Sequence, residues 1–378
     1  MYDVVIAGAG PAGTACALAL SSTPGLRVAL LDKARAFPRD KVCGDAIPGA
    51  AAREVARLAE CLGLDLSPPD TRAGIRHARF YGDDPAPLEL TWVVPAYNAT
   101  RERYDAHLYR AVERHTATDI HLGATVRQVE RHADRLTVVT TAGDVDARLL
   151  IGCDGANSAV ARALTDTRLE RRHHLAAVRA YYRGVRGAAP DTNDVYFPRR
   201  WQPGYLWVFP VGDGLYNVGI GMSSAAISAR RVNLAAALDE AIAEHPALRA
   251  RFAGAEQVGR TVGFGLPTGS RAVQCHGDRF LLCGDAAALI DPIGGHGIDT
   301  AIRSGVLAAE TAVVGLRQNR LDAAALAPYA EALAREIRPK LRRHGYLMRL
   351  GGHAPWLFDL GTRLARVPAL KRLAHRYM

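Results

Sequence analysis

The chain has 378 residues, of which 49% are hydrophobic and 23% are charged, so its composition excludes an intrinsically disordered protein and predicts about two domains. The formal charge is +10, but eleven basic and two acidic residues at positions 335–378 carry +9 of it. The first 334 residues are therefore nearly neutral, which excludes a fold that is basic throughout and makes a nucleic-acid partner unexpected.

The cysteines and the apolar stretches limit the cellular setting. The six cysteines are dispersed and show no Cys-x-x-Cys spacing, which excludes a zinc site and a disulfide framework and favours a reducing cytoplasm. No window of about 18 apolar residues predicts a membrane-spanning helix. The first apolar stretch, residues 4–8, is too short for the apolar region of a secretory signal. We therefore expect a cytoplasmic protein.

The start of the chain predicts a βαβ unit that binds a dinucleotide. A β-rich strand leads into the pattern Gly-x-Gly-x-x-Gly at residues 8–13, an Ala/Leu-rich helix follows, and a second strand ends in Asp32, nineteen residues after Gly13. In this context Gly8 suits a tight turn, Gly10 the approach of a pyrophosphate, and Gly13 close packing of helix on strand. Asp32 is expected to accept hydrogen bonds from a ribose.

Two later segments repeat the pattern of a buried strand that ends beside an acid. Residues 149–158 read Leu-Leu-Ile-Gly-Cys-Asp-Gly-Ala-Asn-Ser, and residues 279–287 read Arg-Phe-Leu-Leu-Cys-Gly-Asp-Ala-Ala. A glycine-rich loop at residues 291–297 then opens a helix. Because ligands bind at the carboxyl ends of parallel strands in such sheets, both segments predict ligand contacts.

Together the three segments resemble the FAD-binding signatures of the flavoprotein monooxygenase and reductase superfamily. The resemblance implies that Asp154 lies near the cofactor and the path of a nicotinamide donor. It also implies that Asp285 binds the ribityl or ribose part of FAD, and that loop 294–298 lies against the isoalloxazine ring. Residues 101–108 are similar to the family's Arg-x-x-Phe-Asp-x-x-Leu helix, so Arg101 is expected to contact FAD. The alternative is a solvated arginine on an amphipathic helix.

The resemblance implies FAD as the cofactor and NAD(P)H as the electron donor. There is no second dinucleotide motif, so the donor is expected to bind transiently. The expected cofactor-binding residues are Gly8, Gly10, Pro11, Ala12, Gly13, Asp32, Lys33, Lys41, Cys43, Gly44, Arg101, Val126, Asp154, Gly155, Gly284, Asp285, Pro292, Gly294, Gly295, Gly297 and Ile298.

Two further segments indicate one branch of the superfamily. Residues 37–45 read Phe-Pro-Arg-Asp-Lys-Val-Cys-Gly-Asp, and residues 203–210 read Pro-Gly-Tyr-Leu-Trp-Val-Phe-Pro. They resemble the Lys-x-Cys-Gly and Tyr-x-Trp-x-Phe-Pro elements of the geranylgeranyl reductase family, whose members saturate isoprenoid C=C bonds with reduced FAD. The resemblance implies an apolar, prenyl-like substrate.

The side chains of these segments suit such a reaction. Tyr205, Trp207 and Phe209 alternate along one face of a strand, which suits an apolar ligand but equally fits one half of a packed sheet core. An unactivated alkene is not an electrophile, so its reduction needs a proton donor. The candidate donor is Cys43, whose thiolate form Lys41 would favour, or a water that Cys43 positions; a structural buried cysteine is the alternative.

The flavin loop departs from the reductase pattern. The reductases usually read Asn-Pro-x-x-Gly-Glu-Gly, whereas residues 291–297 read Asp-Pro-Ile-Gly-Gly-His-Gly, which is closer to flavin-dependent aromatic hydroxylases. His296 is a candidate catalytic group that titrates near the flavin, or an ordinary polar loop residue. Two alternatives to the reductase therefore stay open: an FAD-dependent monooxygenase that hydroxylates or epoxidises a small lipophilic metabolite, and a noncatalytic flavoprotein.

The expected fold is of the α/β class. A discontinuous Rossmann-like FAD-binding domain is combined with a mostly antiparallel β-sheet substrate domain and a C-terminal helical segment. The expected parts are residues 1–72, 98–175 and 265–330 for the FAD-binding domain, 73–97 and 176–264 for the substrate domain, and 331–378 for the basic helical segment.

The basic residues outside the FAD motifs suggest two anionic contacts. The end of the chain predicts an amphipathic, Arg-rich helix over residues 328–350, with a kink at Pro339. Apolar faces beside arginines over residues 355–373 are typical of an interfacial helix, so an anionic membrane surface is a candidate partner; a helical lid is the alternative. The doublets 199–200 and 230–231 are candidates for binding a diphosphate head group, or are solvated loop pairs.

Overall fold

The computed structural model describes residues 1–68, 72–83 and 86–353, so the expected interfacial segment at residues 355–373 lies outside the described residues. In chain order the strands are β1 (Tyr2–Ala7), β2 (Val28–Asp32), β3 (Ala46–Ile47), β4 (Ala73–Tyr81), β5 (Leu88–Asn98), β6 (Asp119–Leu122), β7 (Val126–Arg131), β8 (Leu136–Thr140), β9 (Gly143–Gly152), β10 (His174–Arg183), β11 (Thr192–Tyr196), β12 (Gly204–Gly212), β13 (Leu215–Ser223), β14 (Glu256–Pro267), β15 (His276–Gly277) and β16 (Phe280–Leu282). The helices are α1 (Pro11–Leu20), α2 (Gly49–Leu62), α3 (Arg101–His115), α4 (Ala159–Leu164), α5 (Ser224–Arg230), α6 (Leu234–Glu244), α7 (Pro246–Phe252), α8 (Ile298–Arg317), α9 (Ala323–Glu336) and α10 (Arg338–His353).

The first sheet is built around parallel strands. Its order is β15-β16-β9-β1-β2-β6, and the β7-β8 hairpin continues from β9. β1 pairs in parallel with β2 and β9, and β9 pairs in parallel with β16. Parallel strands have the same carboxyl edge, so the residues that end or follow them meet there. Gly8, Asp32, Cys153 and Cys283 therefore come to one edge of this sheet.

The second sheet has two different faces. Its order is β14-β10-β13-β12-β11-β4-β5-β3, and its pairs are antiparallel apart from β11 with β4. Because successive side chains of a strand point to opposite faces, β12 divides between them. Leu206 and Val208 join a core with helices α6 and α7, whereas Tyr205, Trp207 and Phe209 line a cavity on the opposite face.

The expected fold class is confirmed, since a Rossmann-like sheet and a mostly antiparallel sheet are both present. The domain bounds stay a prediction, because strand membership crosses them at four places, one of which is the end of β5 at Asn98. β3 lies within the expected FAD-binding segment 1–72 but extends the second sheet. β10 begins at His174 and β14 ends at Pro267, each slightly beyond the expected segment 176–264.

The expected C-terminal helices are present, but the break within residues 328–350 lies at Ile337 and not at Pro339. The segment belongs to two helices, α9 and α10, which are separated by Ile337 with φ −113° and ψ −51°. α9 begins earlier than expected because the Asp322 side chain accepts a hydrogen bond from the Ala325 amide, which caps the helix. Pro339 lies in the first turn of α10, where a missing N–H costs no helical hydrogen bond. Within the described residues, no helix has the length and apolar character needed to cross a membrane.

Candidate active site

Three glycines allow the first strand, the first helix and α8 to approach one another closely. Gly8 has φ +104°, and a Cβ at this position would overlap the carbonyl oxygen of Cys153. A Cβ at Gly13 would overlap the carbonyl oxygen of Gly8, and one at Gly305 would overlap that of Ala12. The first and third glycines of the motif therefore act as expected, and Gly305 is a packing position that the sequence pattern did not indicate.

Asp32 is buried at the end of β2 and holds the turn after β1. Its Oδ2 accepts a hydrogen bond from the Ala9 amide at 2.8 Å, and its Oδ1 accepts one from the Ala34 amide at 2.8 Å. Arg39 Nε lies 3.6 Å from Oδ1. Of the other residues expected on this side, Lys33 is exposed and Val126 packs against the main core. Their cofactor contacts stay a prediction.

Asp154 lies beside the Gly8 turn but has a local structural role. Its carboxylate accepts hydrogen bonds from the Ser158 hydroxyl and from the amides of Ala159 and Val160, so it caps the first turn of α4. Burial raises the pKa of Asp154, although these donors oppose the shift. Neither Asp154 nor Gly155 is among the described residues that line the cavity.

The loop before α8 is held by a buried carboxylate. Asp291 Oδ1 accepts hydrogen bonds from the amides of Ile293 and Gly294, both at 2.9 Å, and Asp291 Oδ2 lies 2.6 Å from His344 Nδ1 of α10. Asp285, on the preceding turn, forms an ion pair with Lys41 at 3.2 Å. The flavin loop is therefore tied both to the segment before Cys43 and to the C-terminal helix.

These residues fit FAD. Helices α1 and α8 begin after Gly10 and Gly297 without a capping side chain, so their first amides are available to phosphate or flavin oxygens. A Cβ at Gly10 would have only Arg39 Nη2 within 4 Å, at 3.8 Å, so the backbone there is open to a ligand. Asp32 and Lys41 would supply polar partners for the cofactor at two further points.

A cavity of about 350 Å³ lies between the loop before α8 and the inner face of the second sheet. It brings together most of the residues that the sequence singled out from distant segments. The expected residues that line it are Pro11, Lys41, Cys43, Gly44, Arg101, Tyr205, Trp207, Phe209, Asp285, Pro292, Gly294, Gly295, His296, Gly297 and Ile298.

Tyr205, Trp207 and Phe209 of β12 form an aromatic wall, which belongs to the second sheet and also lines the cavity. The Tyr205 hydroxyl donates to the Gly294 carbonyl oxygen at 2.6 Å, which places β12 opposite the flavin loop as expected. Trp207 Nε1 donates to Asn217 Oδ1 at 2.8 Å. A Cβ at Gly219 would overlap the Trp207 indole, so the ring lies against the backbone of β13 at this glycine. Sequence reasoning missed Gly219 and Asn217, because nothing in β13 alone indicates which strand it pairs with.

Cys43 is only half-buried and is fixed through its backbone. Its carbonyl oxygen accepts a hydrogen bond from Asn217 Nδ2 at 2.8 Å. Arg101, beside it, is 3% exposed and pairs with Asp105 through two nitrogens at 2.7 and 2.8 Å. Burial opposes the charge of Arg101, but Asp105 and Cys43 outweigh burial and raise the pKa of Arg101. The alternative of a solvated arginine is therefore wrong, whereas an Arg101–FAD contact stays a prediction.

A buried acid that sequence reasoning missed lies directly after the Cys-Gly pair. Asp45 is 0% exposed, and its carboxylate accepts hydrogen bonds from the Tyr181 hydroxyl at 2.7 Å and from Asn217 Nδ2 at 2.8 Å. The Arg101 amide donates to its other oxygen at 3.2 Å. Burial raises the pKa of Asp45 to about 6, although these donors favour the ionised form. Asp45 thus joins the Cys43 loop to β10, β13 and α3.

His296 lies in the loop before α8 and interacts with Asp299 in the first turn of that helix. Its Nδ1 lies 2.9 Å from Asp299 Oδ1, and its Nε2 lies 3.9 Å from Asp291 Oδ2. Burial disfavours the imidazolium, but the hydrogen bond and charge of Asp299, with the charge of Asp291, outweigh burial and raise the pKa of His296. The same contacts outweigh burial at Asp299 and lower its pKa to about 2. A catalytic role for His296 stays a prediction.

We expect His296→Gln to lower the free energy of unfolding of the FAD-saturated protein at pH 5.5 by about 2 kcal/mol, the range of a hydrogen bond to a charged group. The raised pKa makes this stabilisation fully present below the unfolded value near 6.5 and lost as pH rises through the folded pKa. Urea unfolding at pH 5.5 and pH 9 measures the difference from wild type, which should shrink at pH 9. A difference independent of pH would show that the ion pair contributes nothing.

Comparison with known proteins defines the class. Residues 1–323 match the family described as FAD binding domain, and the chain belongs to that family. Within it, the chain belongs to the geranylgeranyl reductase family. It is 34% identical over 328 residues to a menaquinone reductase of Mycobacterium tuberculosis, covering 82% of this chain and 76% of the relative. These matches confirm the resemblance to the geranylgeranyl reductase family and the expected cofactor, FAD.

Two further relatives support this assignment. Digeranylgeranylglycerophospholipid reductase 1 of Methanopyrus kandleri is 30% identical over 345 residues, covering 89% of this chain and 87% of the relative. The crystal structure of a geranylgeranyl bacteriochlorophyll reductase-like protein from Thermoplasma acidophilum matches with a TM-score of 0.78 and 25% identity, covering 92% of this chain and 87% of that one. The protein is an FAD-dependent oxidoreductase.

Proposed function

We propose that this protein is a reductase that saturates C=C bonds of an isoprenoid or similarly apolar substrate, with NAD(P)H as the electron source. The observation that carries the proposal is the cavity of about 350 Å³ between the flavin loop and the aromatic face of β12, with Cys43 on its wall. An apolar cavity with few polar groups suits a prenyl chain. The printed names of the relatives, which include a menaquinone reductase and a digeranylgeranylglycerophospholipid reductase, support a prenylated substrate.

The side chains around the cavity would have different roles in such a reaction. Bound FAD, once reduced, supplies the electron pair. The ring of Trp207 covers Gly219, and beside it Gly221 lines a part of the cavity, the Trp207 trough, in which an apolar chain would be held away from water. Cys43 is the proposed proton donor, because its backbone is fixed and its side chain lies on the cavity wall. Positive charge that develops on the alkene carbon is stabilised by the aromatic wall, by about 2 kcal/mol per desolvated ring.

The proposal is tested by anaerobic turnover. Purified protein with FAD is incubated with a menaquinone or a geranylgeranyl lipid and with NADH or NADPH, and the products are examined by mass spectrometry. A product that gains two hydrogens without oxygen supports the reductase. A protein that reduces its flavin with NAD(P)H but leaves both substrates intact under these conditions contradicts it.

The monooxygenase is the second candidate, because the loop sequence Pro292-Ile293-Gly294-Gly295-His296-Gly297 is closer to the hydroxylases. Its substrate would be a small lipophilic metabolite in the same cavity. The same incubation in air separates the two reactions, since oxygenation requires O₂ and adds an oxygen atom to the product. A strict requirement for O₂ would exclude the reductase.

The basic doublets do not line the cavity among the described residues, which disfavours a head-group role. Arg200 pairs with Glu240 and Glu244 of α6, and Arg199 lies 3.6 Å from Asp83. Arg230 donates to the carbonyl oxygen of Arg200 at 3.2 Å. The cationic groups of Arg199, Arg200 and Arg230 are therefore engaged in contacts at the protein surface.

We expect Gly221→Val to raise the KM for an apolar substrate about tenfold, equivalent to about 1.4 kcal/mol, without loss of FAD. The first added carbon fits, because its nearest neighbours are Ala177 Cβ at 3.4 Å, the Ala176 carbonyl oxygen at 3.7 Å and Trp207 Cζ3 at 3.8 Å. The two further methyl groups would enter the trough. Gly74→Val is the matched control, since it lies in β4 of the same sheet with nothing within 4 Å. Equal KM values for the two variants would contradict the proposed position of the substrate.

A further inference from the structure

Arg179 is a charged residue that lines the cavity. The proposed reaction assigns no role to it. It lies on β10 two residues after Ala177, so both side chains point to the cavity face of the second sheet. Leu175, Phe264 and Leu266 line the same part of the cavity. The Arg179 side chain is only 6% exposed, which is unusual for a guanidinium in apolar surroundings.

The hydrogen bonds of Arg179 to Asp40 use only one of its three side-chain nitrogens. Its Nη2 donates to Asp40 Oδ1 at 2.9 Å and to Oδ2 at 2.8 Å, and its guanidinium lies 4.3 Å from the centre of the Tyr181 ring. Asp40 is itself 59% exposed, so its charge is partly screened by water. Arg179 Nε is buried and has no partner among the described residues.

The other cations of the cavity differ from Arg179 in this respect. Lys41 pairs with Asp285 at 3.2 Å, and Arg101 binds Asp105 through both Nε and Nη2. Both also belong to segments that the sequence associates with FAD. Arg179 instead stands among the apolar side chains of the second sheet, and a buried N–H donor without an acceptor is unfavourable unless a ligand supplies one.

We infer that Arg179 binds an oxygen acceptor on the head group of the substrate, a quinone carbonyl or a phosphate oxygen, while the prenyl chain lies along the Trp207 trough. The inference rests on the proposed function for the prenylated class of substrate and adds how that substrate is oriented. A guanidinium suits either oxygen, because its N–H groups form strong hydrogen bonds with carbonyl and phosphate acceptors. The head group thereby fixes which bond of the chain meets the flavin.

The test measures binding to oxidised, FAD-loaded protein without a reductant, so that no turnover is needed. Changes in flavin absorbance report the Kd for a short-chain menaquinone, for geranylgeranyl phosphate and for squalene, a prenyl hydrocarbon without oxygen. Arg179→Met is expected to raise the Kd at least tenfold for one or both oxygen-bearing ligands and to leave the Kd for squalene unchanged. Arg179→Lys should recover part of the loss. The ligand that loses affinity identifies the head group.

Asp40→Asn is the matched control, because it removes the other half of the ion pair and keeps the guanidinium. If Arg179 binds the substrate, Asp40→Asn leaves the affinity for menaquinone unchanged or strengthens binding of the phosphate. Equal weakening of all three ligands by Arg179→Met and Asp40→Asn, or no change with Arg179→Met, overturns the inference. FAD content and thermal melting of each variant separate loss of folding from loss of the contact. Failure of the anaerobic reduction, with head-group-dependent binding retained, contradicts the proposed reaction alone.

Discussion

Cys43→Ser is expected to slow single-turnover reduction of an isoprenoid alkene about 100-fold or more, while FAD stays bound. The position of residue 43 does not depend on its sulfur atom, since Asn217 Nδ2 donates to the backbone carbonyl at 2.8 Å. Serine therefore keeps the geometry, but its hydroxyl is a far weaker acid than a thiol. The rate is measured by following reoxidation of the prereduced flavin after anaerobic mixing with substrate.

Cys61→Ser is the matched control for this substitution. Cys61 is exposed near the end of α2, so the same atom is exchanged away from the cavity. We expect this variant to react at the wild-type rate. An unchanged single-turnover rate in Cys43→Ser would remove Cys43 from the mechanism and leave a bound water as the proton donor.

Gly10→Ala is expected to weaken FAD binding at least 100-fold while the apoprotein keeps its fold. Gly10 has φ −83° and ψ −173°, which alanine adopts without strain, and an added Cβ would have only Arg39 Nη2 nearby, at 3.8 Å. The methyl group would instead occupy the space in which a pyrophosphate approaches the backbone. Flavin released on gel filtration measures the affinity, and urea unfolding of the apoprotein measures the fold.

Gly13→Ala should behave differently, although it lies three residues further along the same motif. Its Cβ would overlap the Gly8 carbonyl oxygen, so the contact of helix with strand has to open, at a cost of about 3 kcal/mol. We expect this apoprotein to unfold at lower urea than Gly10→Ala. Gly74→Ala, whose Cβ would have nothing within 4 Å, serves as a neutral control. Full retention of FAD by Gly10→Ala would refute the proposed phosphate position.

The cofactor site was predictable because its residues are adjacent in sequence. The turn after β1 and the loop before α8 each contain their glycines, their acid and their helix start within about a dozen residues. The alternation of Tyr205, Trp207 and Phe209 likewise follows from strand geometry alone. These features depend on local backbone conformation, which a short sequence pattern specifies.

Long-range positions were not predictable in this way. Asp45 and Asn217 are 172 residues apart, yet Asn217 Nδ2 donates to Asp45 at 2.8 Å. Arg101 looked equally suited to a solvated helix face, because an amphipathic pattern does not tell which loop will cover a polar residue. β14 was missed because glycines interrupt it and much of it is exposed at the sheet edge.

The sequence by itself determined the cofactor, the family and the neutral character of the catalytic body, and it located the basic excess in residues 335–378. The pairing and register of the strands became known only from the tertiary structure. Pairing of β13 with both β10 and β12 brings Arg179 and Trp207 to one cavity wall and places the buried Asn217 against Trp207. The physical reason is that β register and packing depend on the whole sheet. The buried Nε–H of Arg179, which has no partner within the described part of the chain, can be recognised only from the assembled sheet.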